Sequence, residues 1–433
     1  MGFNWIYVNP LNYPGFSGSL YSIKDLYRFN PMFSPEGSDD PHSWEPLRLF
    51  IDACHEYDIR FMMDLVINHV AIDSPLIVEH PEWFKKKWAV VDASNNIAVK
   101  FFEGEEPTKG DEYSFDHFFL EKRIANPYAI DPTDSRRITI WGDLAEIDFE
   151  TNPEYEELIL YWKKYVDFCL NLGLDGFRCD AAYQIPSIVW KTLITHIKSQ
   201  KAKTLFLAET LGCTLDQYKS ISKAGFDYIY NSSKYWDFTA PWCVEQYNSF
   251  RKYAPSVSFP ESHDTRRLSD ETNGRVDVQI FRYLFASIFS AGVLIPIGYE
   301  YGFTRKLNVV NTEPKDIEQI RFDISSKIKE INYFKQQFYC LNEDGEIKHF
   351  NYPNLNILLL RKTSLNGNQQ VLLIYNKNWH EYHDIFLSDI REYLDLGPSI
   401  KQVYLDKEPE IIKDRTLNKN LAPSGYIIFL QEK

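Results

Sequence analysis

Leu174-Asp175-Gly176-Phe177-Arg178-Cys179-Asp180 is an apolar run that ends in charge. Residues 172–177, and further on 204–208, are short apolar runs of the kind that form parallel strands covered by helices on both faces. A carboxylate follows each, Asp180 in the first case and Glu209 in the second. Side chains alternate along a strand, so Arg178 and Asp180 share one face while Phe177 and Cys179 share the other. Burying Asp180 is costly unless it is paired, and Arg178 two residues away can hold it ionised and depress its pKa, as a nucleophile requires. In isolation an Arg-x-Asp is more often a structural ion pair at a strand end. Here the surrounding pattern repeats.

Upstream, residues 2–8 read as a strand ending at Asn9-Pro10. Residues 44–57 form an amphipathic helix leading into a strand at 59–66 that closes in Asp64-Leu65-Val66-Ile67-Asn68-His69. A helix at 153–172, with Pro153 in its first turn and Gly173 at its end, delivers the chain to the Arg178 strand. Beyond it come a helix at 185–199, the Glu209 strand, a helix at 215–224 and strands at 226–230 and 256–259. The last of these ends in Glu261-Ser262-His263-Asp264; a helix at 276–290 and a strand at 293–298 follow. Strands alternating with helices, with charge at the strand ends, predict an α/β fold: a (β/α)8 TIM barrel with its active site at the C-terminal face of the strands. An open doubly wound sheet is the alternative. Against it, no glycine-rich phosphate fingerprint follows any strand.

Two segments break the alternation. Residues 70–140 mix Pro, Gly, aromatics and charges, and so long an irregular stretch inside a compact domain reads as a lid or an inserted domain. Past residue 332 the composition turns to β-branched and aromatic strands at 357–361, 370–376, 384–387 and 425–431, a C-terminal all-β sandwich at 340–433 bounded by a helix at 315–334. The barrel itself is expected over 1–335. Asn376 reads as a turn residue, and Trp379 and His380 as a packed surface loop.

Composition narrows the function. The chain has 433 residues, and its 28 Tyr, 30 Phe and 10 Trp suit either core packing or stacking on the flat faces of sugar rings. A formal net charge of −14, without a concentrated basic patch, argues against nucleic acid or an anionic membrane as partner. There is no apolar run of membrane-spanning length and no signal-peptide pattern. The six cysteines have neither metal-ligand nor disulfide-framework spacing, so a reducing, cytoplasmic setting is expected.

Asp64-x-x-x-Asn68-His69, Gly176-Phe177-Arg178-x-Asp180, Glu209 after its apolar strand, and His263-Asp264 resemble, in order and spacing, the four signature blocks of the alpha-amylase family of glycoside hydrolases and transglycosylases. Tyr21, with Asp25 and Tyr27 after it, is similar to the family's tyrosine motif following the second barrel strand. The likeness spans nearly the whole chain. It implies Asp180 as nucleophile, Glu209 as general acid and base, and Asp264 as the carboxylate that fixes substrate hydroxyls, with Tyr21 stacking on the sugar and His69, Arg178 and His263 in support. It makes residues 70–140 the inserted domain B, and α-glucan or malto-oligosaccharide the substrate. The family's first barrel strand and helix have no counterpart, because residues 2–7 resemble the second strand; residues upstream of Met1 are expected to complete the barrel. Tyr183-Gln184 stands where many amylases carry Lys-His, so neither calcium nor any other cofactor is expected. Residues 79–84, 185–194 and 206–210 resemble the maltosyltransferase branch, which transfers maltosyl units from maltose 1-phosphate to glucan.

The chemistry is legible without the family name. Glycoside cleavage with retention needs an acid for the leaving oxygen and a carboxylate about 5–5.5 Å away to attack the anomeric carbon. Asp180 and Glu209 on neighbouring strand ends supply both, provided that their environments push their pKa values apart. Two other classes stay open: a non-catalytic barrel used for binding, against which all three carboxylates are present, and a metal-dependent barrel enzyme, for which His69 and His263 are too few ligands.

Overall fold

The computed structural model describes residues 1–102, 117–131 and 134–433. The chain divides into two compact units, Trp5–Ala224 and Met1–Asn4 with Gly225–Lys433.

The first unit is built on four parallel strands, Trp5–Val8, Arg60–Leu65, Gly176–Cys179 and Leu205–Ala208, adjacent in that order. Phe61, Met63, Leu65, Phe177 and Phe206 are fully buried, as near-continuous apolar strands covered on both faces should be. Helix Glu45–Glu56 turns Leu47, Ile51 and Cys54 inward, an i, i+4, i+7 stripe. Helix Tyr155–Asn171 buries Leu158, Ile159, Trp162, Tyr165, Val166 and Cys169 on its inner face. Pro153 lies two residues ahead of this helix rather than in its first turn. Gly173 (φ 106°) reverses the chain against Ile51, where a β-carbon would sit 3.1 Å from the Ile51 methyl.

The segment at 70–140 departs from expectation. Within its described residues Lys86–Asp92 is the centre of a three-stranded antiparallel sheet, flanked by Ile97–Phe102 and Phe118–Ile124, and Tyr128–Asp131 pairs with Asp134–Ile140. The inserted segment is therefore not irregular where it is described. Ala89, Val90 and Val91 are buried, while the turn after them is closed by the Asp92 carboxylate on the Ser94 N–H (2.8 Å) and by Asn96 in the left-handed region (φ 61°). In sequence the lysines, glutamates and aromatics of these strands mask the pairing. Residues 103–116 and 132–133 of the expected inserted domain lie outside the described residues.

In the second unit, strands Tyr228–Tyr230, Ser256–Ser258 and Gly292–Val293 run parallel, and helix Val276–Phe289 follows the middle one. The strand expected at 293–298 shrinks to two residues because Pro296 and Gly298 (φ 88°) turn the chain, with the Tyr299 N–H donating to the Pro296 carbonyl. The helix expected at 315–334 is also corrected. A single 3-10 turn, Pro314–Asp316, is followed by helix Ser325–Gln337, ahead of which the Asp323 carboxylate accepts the Ser325 N–H at 2.8 Å. Ahead of it, Glu318 accepts the Thr304 and Arg305 N–H groups and so holds that stretch as a loop.

The C-terminal strands form one antiparallel sheet in the order Glu346–Phe350, Ile357–Thr363, Gln369–Asn376, Tyr426–Glu432, Ile400–Val403, Glu410–Ile411. A two-stranded ladder of His383–Leu387 with Leu417–Leu421 packs on one side. Alternation divides the core: Leu359, Leu372, Ile374 and Phe429 face that ladder, while Leu358, Leu360, Val371 and Leu373 join a cluster with Phe281, Phe285, Phe289 and Ile331 of the two helices. Two buried lysines sit in this seam. Lys362 Nζ donates to the Ile288 and Phe289 carbonyls at 3.0 and 3.1 Å, and Lys335 Nζ to the Ser287, Ser290 and Leu341 carbonyls. Burial pushes both ammonium groups below the usual lysine range.

Gly176 is where the strands of the first unit cannot take a side chain. A β-carbon there would lie 2.6 Å from the Leu205 carbonyl oxygen and 3.3 Å from the Trp5 ring. Gly176→Ala should lower unfolding free energy by about 1–3 kcal/mol, the cost of overpacking against a backbone that cannot yield; chemical denaturation checks it.

Candidate functional site

The parallel register sets Arg178 opposite Asp64 on one side and Leu207 on the other. Arg178 is 1% exposed and Asp64 likewise, so their charges meet away from water. Arg178 Nη1 donates to Asp64 Oδ1 at 2.8 Å and to Asp180 Oδ1 at 2.5 Å. Burial works against the guanidinium charge, but Asp64 foremost among its neighbours raises the Arg178 pKa well above its ordinary value. The sequence-predicted pair of Arg178 and Asp180 is thus formed, and Asp64 makes it a triad.

The other oxygen of Asp64 collects two tyrosines. Tyr7 and Tyr21 hydroxyls each donate to Asp64 Oδ2 at 2.6 Å, Tyr7 from the strand Trp5–Val8 and Tyr21 from the loop behind it. Burial, then the Asp64 charge, holds the Tyr21 phenol far above its ordinary pKa, so it remains a donor. The loop is itself clamped: Lys24 bridges to Asp73 at 2.8 Å, Ser17 Oγ donates to Asp143 Oδ2 at 2.6 Å, and a β-carbon on Gly15 would meet Ala71 at 2.5 Å. His69 is buried in the same unit, with no hydrogen bond of good geometry on either ring nitrogen. Burial pushes its pKa down, against the pull of Asp180 and of the Tyr21 backbone, and favours a neutral ring.

Glu209 lies one residue past the paired strand, and its N–H donates to the Cys179 carbonyl at 3.0 Å. Continuing the ladder by that residue sets Glu209 opposite Asp180 on the same face. Its carboxylate accepts the Ala181 N–H at 3.0 Å and the Leu211 N–H, backbone donors that favour the charged form. Ala181, directly after Asp180, is held in the left-handed region (φ 42°, ψ 42°), a strain that persists only where the surroundings impose it.

Asp264 and His263 belong to the second unit, where His263 Nε2 lies 3.2 Å from Asp264 Oδ2; the imidazole side chain is nearly buried and the carboxylate half exposed. Nearby in sequence, Glu261 and Arg267 form a buried pair at 2.7 Å. Asn68 Nδ2 donates to Gln184 Oε1 at 2.9 Å, which commits its amide to the residue standing in the Lys-His position. Among the described residues no three His, Cys, Asp or Glu side chains converge as a metal cage. No described helix is long and apolar enough to cross a membrane.

Asp64, quoted in the sequence motif without a role, and Tyr7, not singled out there, are brought to this cluster by the structure. The signal was available for Asp64: a carboxylate on a buried strand, neighbour to the Arg178 strand, has to find a cation. For Tyr7 nothing in a run of apolar and aromatic residues marks the hydroxyl.

The family model for the glucanotransferase domain of glycogen debranching enzyme matches residues 1–86. Among curated relatives, an alpha-1,4-glucan:maltose-1-phosphate maltosyltransferase of Burkholderia pseudomallei is 22% identical over 75% of this chain and 26% of its own length. A cyclomaltodextrinase of Geobacillus thermopakistaniensis is 21% identical over 100% of this chain and 68% of its own. The chain thus spans about a quarter of the first of these. A crystal structure of an alpha-amylase from Geobacillus thermoleovorans, complexed with acarbose, superposes with a TM-score of 0.71 at 15% identity, covering 100% of this chain and 89% of that one. The fold is accordingly of the TIM-barrel type, with a C-terminal sheet.

Removing a partner from the buried triad leaves an uncompensated charge. Asp64→Ala should cost about 3–5 kcal/mol of stability, and Tyr7→Phe, which removes one neutral donor, about 1 kcal/mol. Parallel urea titrations of the two variants measure the difference; equal losses would show that Arg178 does not depend on Asp64.

Proposed function

We infer that this chain, a member of the alpha-amylase family, is a retaining glycosidase or transglycosidase that cleaves α-1,4-glucosidic bonds in α-glucans or malto-oligosaccharides. The observation that carries the reading is the Asp64–Arg178–Asp180 triad with Glu209 on the adjoining strand end. Asp180, held by Arg178, attacks the anomeric carbon, and the glycosidic C–O bond breaks as Glu209 protonates the leaving oxygen. Glu209 then takes a proton from the acceptor hydroxyl as that oxygen displaces Asp180 and restores the free carboxylate. To act as acid, Glu209 has to exchange its two backbone donors for a proton, a rearrangement assigned to substrate binding. Tyr21 offers its ring to the sugar while its hydroxyl is held on Asp64, and by the family motif the buried, neutral His69 supports it. By the family motif, Asp264 with His263 fixes hydroxyls of the bound sugar.

In this reading residues 1–335 are the catalytic barrel, 70–140 its inserted domain and 340–433 a β-sandwich. Among the described residues Trp5–Val8 pairs laterally with Arg60–Met63 alone, and this supports the reading that the family's first strand is absent from the sequence. Proton NMR of a malto-oligosaccharide digest should show the α-anomer first, and Asp180→Ala should lose essentially all turnover. Initial release of the β-anomer, or an active Asp180→Ala, would overturn the assignment.

A second reading, transfer from maltose 1-phosphate, is favoured by the maltosyltransferase relative that aligns over three quarters of the chain. It ranks behind general α-glucan cleavage because it needs a cation for phosphate, and of the four candidates after the last strands, Arg266, Arg267, Arg305 and Lys306, the three arginines are held by Asp270, Glu261 and Asp316. Incubation with maltoheptaose should give maltose and glucose without phosphate. Phosphate-dependent maltose 1-phosphate, read by mass spectrometry, would reverse the ranking.

A further inference from the structure

The second unit carries a cleft of about 420 Å³, within the range of about 300–1,000 Å³ typical of small-ligand sites. It opens between the first turn of helix Val276–Phe289, helix Ser325–Gln337, the loop after strand Ile400–Val403 and the start of strand Tyr426–Glu432. We propose that this cleft is a second carbohydrate-binding site, which holds a stretch of neutral α-glucan apart from the bond being cleaved. The proposal rests on the glucan reading above and goes beyond it.

Its lining is aromatic and polar together. Tyr404 and Tyr426 supply rings, and neither hydroxyl is engaged by another described residue. Lys407 stands 3.8 Å over one face of Tyr404 and is anchored by Glu410 at 2.5 Å, so the ring is oriented by one face and keeps the other. Gln402 and Asp406 likewise keep their side-chain groups uncommitted. Ser424 adds a built feature. It is 4% exposed, its backbone is left-handed (φ 54°), and its hydroxyl is engaged with Asp277 and Tyr375, which fixes it at the cleft wall. Strain of this kind gathers at ligand clamps.

Charge selects the ligand class. The cations of the rim are spent: Lys327 holds Glu330 at 2.7 Å, and Arg275 holds Asp277 at 2.6 and 2.9 Å. Asp406 remains, so a phosphate or carboxylate ligand meets repulsion. A metal ion lacks a set of three ligating side chains here among the described residues. A sugar fits both halves, with its C–H face on a tyrosine ring and its hydroxyls on amide, carboxylate and phenol.

The test uses the full chain with Tyr404→Ala and, separately, with Asp406→Ala, an exposed position whose loss leaves the core untouched. Native electrophoresis through gels containing amylopectin reads glucan affinity, and turnover of 4-nitrophenyl α-maltoside reads the catalytic site. Each variant should be retarded less, with the dissociation constant for amylopectin raised about fivefold, the size of one lost aromatic or hydrogen-bond contact. Its kcat/KM on the short substrate should equal that of the parent. Unchanged retardation of folded variants, melting at the parent temperature, would overturn the proposal. If Tyr404→Ala fails to fold, Asp406→Ala decides alone. A parent inactive on the short substrate would strike at the catalytic reading and leave the retardation result to stand by itself.

Discussion

The site depends on a guanidinium that water does not reach. Arg178 lies between the carboxylates of Asp64 and Asp180 at the adjoining ends of two strands, and in that position the loss of hydration is repaid only while both ion pairs hold. One cation between two carboxylates leaves an excess negative charge. Hydroxyl donors from Tyr7 and Tyr21 spread part of it by bonding to the far oxygen of Asp64. The tyrosine proposed to meet the sugar and the carboxylate proposed to attack it are therefore linked through a single buried aspartate. Moving either one disturbs the other, and this makes the loop around Tyr21 part of the chemistry although it contributes no charge.

Sequence made the central strands legible because they are apolar throughout and end in charge, a pattern few other elements imitate. Arg178, Asp180 and Glu209 followed from alternation and strand ends alone. The segment at 70–140 was read as irregular for a physical reason: its central strand buries three consecutive residues, Ala89, Val90 and Val91, between charged ends, so no period of two marks it in the sequence. The loop at residues 315–324 looked helical because Glu318 and Asp323 are ordinary helix residues until their backbone partners, Thr304, Arg305 and Ser325, are seen.

Two features of the site could not be read from strand pattern and alternation. An alanine gives no warning of a left-handed backbone, yet Ala181 adopts one so that its N–H can turn to Glu209. Spacing alone does not place Asp264 either: its assignment comes from the order of the signature blocks, and its surroundings are those of the second unit.

The lysines of the seam carry a further meaning. Lys362 lies on a strand of the C-terminal sheet but terminates the helix Val276–Phe289 by donating to its last carbonyls, with Lys335 beside it. Sheet and helix thus share one set of hydrogen bonds in a dry seam, where carbonyls left bare could not turn to solvent. In modular terms the C-terminal sheet is no detachable appendage. An exchange of that sheet without a lysine at the same height on its second strand would leave the Ile288 and Phe289 carbonyls bare in the seam, so the natural cut for such an exchange lies ahead of the helix rather than after it.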